Sequence, residues 1–119
     1  MITLYGIPNC DTVQKARTWL AAHGKAHVFH DFKKQGVPPD RLAQWVETLG
    51  WESLLNRKGS TWRKLAADEQ LAVHDSASAQ ALMLAQPSII RRPVVEWGDG
   101  DVDAGLTVGF DPQAWEKRT

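Results

Sequence analysis

The sequence predicts an α/β fold in which a parallel βαβ half and an antiparallel ββα half are joined by a helical insertion. Three observations carry that expectation. The first stretch reads strand, helix, strand over about thirty residues, the pattern of a parallel pair with a crossover helix. Between Pro38 and Pro87 the apolar residues recur at helical spacing. Beyond Ile89 come two short β-type runs, a Gly/Asp turn between them and a helix begun by proline.

Ile2 to Tyr5 is a short strand bounded by Gly6 and Pro8. Val13, Ala16 and Leu20 then recur at helical spacing, and Gly24 stops the helix. Ala26 to Phe32 is the second strand. A loop, Lys33-Lys34-Gln35-Gly36-Val37, leads to Pro38-Pro39 and a helix with Leu42, Trp45, Val46 and Leu49 on one face and Gly50 at its end. Trp51 to Asn56 forms a further helical turn. Arg57-Lys58-Gly59-Ser60 is a basic loop, with Ser60 or Thr61 capping a turn through Leu65. Asp75 or Ser76 caps an Ala/Leu-rich helix that runs through Ala85 and is stopped by Pro87. Val94 to Trp97 is a strand, Gly98-Asp99-Gly100-Asp101 turns toward a return strand near Val102, and Leu106 to Phe110 leads to a terminal helix at Asp111-Pro112. This order is that of a thioredoxin-like fold. The chain reads as one domain, residues 1–119, with the helical insertion at roughly 38–86.

Lys plus Arg and Asp plus Glu both total 14, so the formal net charge is zero. That argues against a nucleic-acid coat or a membrane-surface protein, both of which lean on bulk positive charge. No apolar run approaches the ~20 residues of a membrane helix, and no basic segment precedes an apolar one as in a secretory leader. A single cysteine forms no internal disulfide, which suits a reducing cytoplasm. The 6 tryptophans are dispersed, as core and rim residues are, rather than set in the strand pattern of a base-stacking platform.

Cys10 is that single cysteine, at the junction of the first strand and the first helix. A helix N-terminus presents unpaired N–H groups and partial positive charge, which push a sulfur toward the nucleophilic thiolate. Its neighbours Asn9, Asp11 and Thr12 are polar, unlike the setting of a buried structural cysteine. Val13 stands where a Cys-x-x-Cys motif has its second thiol. A mixed disulfide on Cys10 therefore needs an outside thiol such as glutathione to resolve it.

Among the basic pairs, Arg92 precedes Pro93 at the start of a core strand rather than on an exposed helix face, and Arg57 lies in a loop between helices. Guanidinium groups suit carboxylates and oxyanions because they donate two parallel hydrogen bonds. His27 and His30 fall on opposite faces of a strand, and neither they nor His23 and His74 belong to a metal-ligand motif. No metal or organic cofactor is implied.

Gly6-Ile7-Pro8-Asn9-Cys10-Asp11-Thr12, His30-Asp31-Phe32-Lys33-Lys34, Leu54-Leu55-Asn56-Arg57, Thr61-Trp62-Arg63-Lys64-Leu65 and Ile90-Arg91-Arg92-Pro93-Val94 together resemble the ArsC/Spx family of arsenate-reductase-related proteins, and its YffB-like branch in particular. The resemblance spans essentially the whole chain. It implies a thioredoxin-like fold with an inserted helical subdomain and an active-site cysteine at the first βα turn, where Cys10 stands. Arsenate reductases of the family hold the oxyanion with three arginines. Arg57 matches the first, and Arg92, before a proline expected to be cis, matches the second. The third position, around Thr107-Val108-Gly109, has no arginine, and Ile7-Pro8 occupies the place of a histidine those enzymes carry before the cysteine.

The expected activity is that of a glutathione-dependent thiol oxidoreductase, monomeric and without a bound cofactor, using glutathione as co-substrate. Cys10 is the expected nucleophile. Arg92 and Arg57 position glutathione carboxylates or another anionic substrate, Asn9 and Thr12 donate hydrogen bonds near the sulfur, and Pro93 shapes the site. The resemblance also implies two alternatives. One is an Spx-like module that contacts RNA polymerase; the other is a weak arsenate reductase.

Overall fold

The apolar opening run forms a central strand, and half of the chain is arranged around it. In the computed structural model, which describes residues 1–98 and 105–118, the elements in chain order begin β1 (Ile2–Gly6), α1 (Asp11–Ala22), β2 (His27–Asp31), α2 (Phe32–Gln35), α3 (Pro39–Leu49) and α4 (Trp51–Leu54). They continue α5 (Ser60–Arg63), α6 (Ala67–Leu71), α7 (Ser76–Ala85), a 3-10 turn at Pro87–Ile89, β3 (Val94–Glu96), β4 (Leu106–Val108) and α8 (Pro112–Arg118). The chain divides into two compact units, Met1–Asp31 with Arg92–Thr119, and Phe32–Arg91.

In the first unit the described strands form a sheet of order β2-β1-β3-β4. β1 pairs parallel with β2 and antiparallel with β3, and β3 pairs antiparallel with β4. A parallel pair bridged by α1 and an antiparallel pair followed by α8 make the thioredoxin-like βαβ…ββα arrangement. Leu4 lies between Phe29 and Val95 in register. On that face Leu4 and Val95 pack with Val13, Ala16 and Leu20 of α1 and Trp115 of α8, all at most 1 % exposed. Each leucine and valine among them contributes roughly 1.5–3 kcal/mol by leaving water. Trp115 also meets Trp19, Trp97 and Phe110 edge-on, with ring centroids 5.5, 5.0 and 4.8 Å away. Strand alternation turns Tyr5 and Glu96 to the other face, where the Tyr5 hydroxyl donates to the buried Glu96 carboxylate at 2.8 Å.

In the second unit α3 buries Leu42, Trp45 and Val46, and α7 buries Ala79 and Met83. Asp75 caps α7, its carboxylate accepting from the Ser78 N–H at 2.8 Å. The unit reaches beyond the expected 38–86 at both ends. At its start, the stretch expected as the end of β2 and a loop is instead the helical turn α2, because Phe32 is buried and its ring packs 6.3 Å from that of Trp45. At its end, Leu55 bridges Ile90, Asn56 N–H donates to the Ile89 carbonyl at 2.9 Å, and Arg91 N–H donates to the Leu54 carbonyl at 2.7 Å.

Two further differences are local. α5 begins after Gly59, with neither Ser60 nor Thr61 as its cap. α6 was not legible as a helix. Its first turn carries Asp68 and Glu69, and the Glu69 carboxylate reaches back to the Ala66 N–H at 3.2 Å. The expected turn residues from Asp99 and the return strand near Val102 lie outside the described residues. The strand that pairs with β3 is Leu106–Val108.

The join between β1 and α1 is set by one close approach. A Cβ on Gly6 would lie 2.8 Å from Val13 Cγ2, and Val13 has no exposed surface into which to move. Gly6→Ala is therefore expected to lower stability by about 1–3 kcal/mol, the usual cost of overpacking, measured as a fall in the urea midpoint. An unchanged midpoint would mean that α1 can shift freely on β1.

Candidate active site

Beyond Gly6 the chain turns on itself before α1 begins. Cys10 N–H donates to the Ile7 carbonyl at 3.3 Å, closing a turn over Pro8 and Asn9, and Gln14 Nε2 ties the turn to the helix by donating to the Pro8 carbonyl at 3.1 Å. Cys10 is the N-cap of α1, with extended φ −95 and ψ 124, and its own carbonyl accepts the first helical bond from Gln14 N–H at 3.0 Å. A serine or aspartate would normally cap here through a side-chain oxygen. The sulfur takes that place without closing a full capping hydrogen bond.

The half-buried Cys10 therefore sits among donors. Burial pushes its thiol up, but the Val13 N–H, the hydrogen bond and positive charge of the Arg92 guanidinium, and the Thr12 N–H outweigh that effect. The balance holds the thiol below its ordinary value. The position also touches the aromatic core, with Trp19, Trp97 and Phe110 among the partly buried residues of the same cluster.

Of the expected site residues, Arg92 and Thr12 act on Cys10, Thr12 through its backbone N–H rather than its hydroxyl. Pro93 is buried, follows Arg92 through a cis peptide bond as expected, and leads directly into β3. Asn9 is exposed in the turn before the cysteine. Arg57 belongs to the second unit, where its guanidinium lies over the rings of Trp51 and Trp62. The sequence reading missed the Val13 N–H and the Gln14 strut. The first follows from helix geometry once Cys10 is taken as N-cap, because N2 and N3 are the positions whose N–H groups face back to the cap side chain. His27 meets Arg17 and His30 meets the Tyr5 ring, as strand alternation requires. A groove of about 590 Å³ runs beside α1, lined by Lys15, Thr18, Trp19 and Phe110 among others; Cys10 does not line it. No helix among the described residues is long and apolar enough to cross a membrane.

A partly exposed thiol with a depressed pKa is equipped for nucleophilic attack and also for departure as a leaving group. Ionisation of Cys10 also stabilises the fold. The folded pKa lies below the unfolded one, so this stabilisation is present above the unfolded thiol value and is lost as pH falls through the folded one. The alkylation rate of Cys10 by iodoacetamide, followed against pH, is expected to have its midpoint below that of a free thiol. Arg92→Leu is expected to move that midpoint upward. A midpoint that Arg92→Leu leaves in place would show that the guanidinium does not act on the sulfur.

The ArsC family model matches residues 5–118. An uncharacterised protein of Haemophilus influenzae is 42% identical over 117 residues, 98% of this chain and 96% of its own length. The global transcriptional regulator Spx of Streptococcus agalactiae is 31% identical over 98 residues, 80% of this chain and 69% of that protein. The solved structure of a protein named YFFB superposes with a TM-score of 0.89 at 46% identity, covering 99% of this chain and 98% of that one.

Proposed function

The chain belongs to the ArsC family, in its YffB-like branch, and we propose that it is a single-cysteine thiol oxidoreductase whose mixed disulfide is resolved by glutathione. The observation that carries this reading is the partly exposed Cys10 at the N-cap of α1, its thiol held low by Arg92 and by backbone N–H groups. In the first step the Cys10 thiolate attacks one sulfur of a substrate disulfide. A bond forms to Cys10 Sγ, the substrate S–S bond breaks, and the other half leaves as a thiolate that takes a proton from water. In the second step a glutathione thiolate attacks the substrate-derived sulfur of the mixed disulfide and expels Cys10 as thiolate. The net exchange consumes one glutathione thiol and releases one substrate thiol, and it leaves a disulfide between glutathione and the other half of the substrate, or, where the substrate is a glutathione mixed disulfide attacked at its glutathione sulfur, oxidised glutathione.

The groups around Cys10 serve both steps. They raise the thiolate fraction before the first and stabilise the leaving thiolate in the second. A lower pKa also weakens intrinsic nucleophilicity, so the benefit is largest when the thiol titrates near ambient pH. Val13 offers no second thiol to compete with glutathione. Arg92 suits the carboxylates of glutathione or an anionic substrate, with Asn9 and Thr12 as further donors, the buried Pro93 shaping the chain behind Arg92, and Arg57 a second guanidinium for anions. A reducing cytoplasm rich in small thiols is the fitting compartment.

One observation favours a second reading. The similarity to Spx over 80% of the chain supports an RNA polymerase-binding module. Arsenate reduction is less well supported, since the third arginine and the histidine before the cysteine are both missing.

Turnover of a small mixed disulfide with glutathione, coupled to glutathione reductase, separates these readings. Cys10→Ser is expected to abolish turnover, and omitting glutathione is expected to leave a Cys10 adduct visible by mass spectrometry. Full turnover in Cys10→Ser would end the oxidoreductase reading. Polymerase retention indifferent to Cys10→Ser would favour the module.

A further inference from the structure

Asp11, Lys15, Trp19 and Ala22 recur at the spacing that puts them on one face of α1, along about 16 Å of helix. They line the groove of about 590 Å³, which Phe110 and Pro112 line as well, the first just beyond β4 and the second opening α8. All six belong to the first unit. The groove is predominantly apolar, and its volume falls within the roughly 300–1,000 Å³ of small-molecule sites.

Its aromatic side chains are held from behind. The buried Trp115 meets the rings of Trp19 and Phe110 edge-on, at 5.5 and 4.8 Å. His23 stacks on Trp19 with centroids 3.7 Å apart, and its Nδ1 lies 2.9 Å from the Trp19 carbonyl. Aromatic groups fixed beforehand offer apolar area to a ligand at little ordering cost.

Charge narrows the ligand further. Lys15 is exposed along the groove and forms no ion pair among the described residues. An ammonium beside fixed aromatic groups suits a molecule that joins a planar apolar body to an anionic group. Asp11 lines the same groove, and its carboxylate opposes a second negative charge. The neighbouring groove of about 480 Å³ differs in kind. Arg17 and His27 line it, but Arg17 Nε already donates to His27 Nε2 at 3.3 Å, and its guanidinium lies over Phe29 at 4.4 Å.

We propose that the groove beside α1 binds a planar aromatic monocarboxylate, its rings against Trp19, Phe110 and Pro112 and its carboxylate at Lys15. Cys10 does not line the groove, so this site is independent of the thiol chemistry.

The test titrates naphthoate into the full-length protein and follows the assigned Trp19 indole N–H by NMR. A saturable shift is expected, with a Kd of about 1 mM or tighter. Naphthalenemethanol keeps the rings without the charge and is expected to bind about two- to fivefold more weakly, the range of an exposed ion pair. Lys15→Gln is expected to bring naphthoate to the affinity of the alcohol. Ala22→Leu, at an exposed helical position, fills the groove and is expected to weaken both ligands about fivefold or more. Cys10→Ser is expected to bind as the wild type does. An indole resonance unmoved by naphthoate would overturn the proposal. Equal affinity in Ala22→Leu and wild type would do the same, by placing the ligand elsewhere, and Lys15→Gln without effect would remove the carboxylate from Lys15. Loss of binding in Cys10→Ser would assign the ligand to the cysteine site instead.

Discussion

The contact between Gly6 and Val13 is the constraint on which the candidate site depends. β1 delivers the chain to the edge of the sheet, and α1 can start there only if its first turn lies close against the end of the strand. Glycine at position 6 permits that approach, and Val13 fills it with no surface left exposed. The turn from Ile7 to Cys10 is then short, closed by one backbone hydrogen bond and braced by Gln14, so Cys10 falls at the N-cap. Had the helix begun a residue later, Cys10 would lie outside the ring of free N–H groups.

The charge state of Cys10 is decided by competition. Burial opposes the anion and is the largest single influence on it, yet the combined action of two backbone N–H groups and one guanidinium prevails. The helix terminus supplies part of that action simply by existing. Arg92 supplies the rest, from a position next to β3, so two segments far apart in sequence meet at one sulfur. A site assembled in this way depends on the sheet register between β1 and β3, where Tyr5 faces Val94.

Local signals made most of the fold legible in the sequence. Helical spacing of Val13, Ala16 and Leu20, glycines at 24 and 50 with positive φ, and aspartate at 75 each encode an element within a few residues. Legibility failed where distant packing decides. Phe32 reads as the end of a strand, but its ring is drawn into the second unit beside Trp45, and the chain turns helical there. α6 is short and buries no residue, so it has no apolar stripe to announce it. Cys10 and Arg92 were legible as candidates because position at a helix start and before a proline are local facts. The pairing of Arg57 with Trp51 and Trp62 was not, since it joins residues from three separate turns.

Val13 links the packing to the chemistry. Its backbone N–H turns toward the sulfur and favours the thiolate, while its side chain completes the core beneath. The position three residues after the cysteine thus contributes a donor and packing, and no thiol. A disulfide formed at Cys10 has no second thiol in the chain to break it, so the proposed cycle calls for a thiol from solution. Anionic thiols are drawn by fixed positive groups, and this chain presents them in both units: Arg92 beside the sulfur, and Arg57 over two indoles. In the proposed cycle, valine rather than cysteine at this buried position moves the burden of resolution from internal chemistry to molecular recognition.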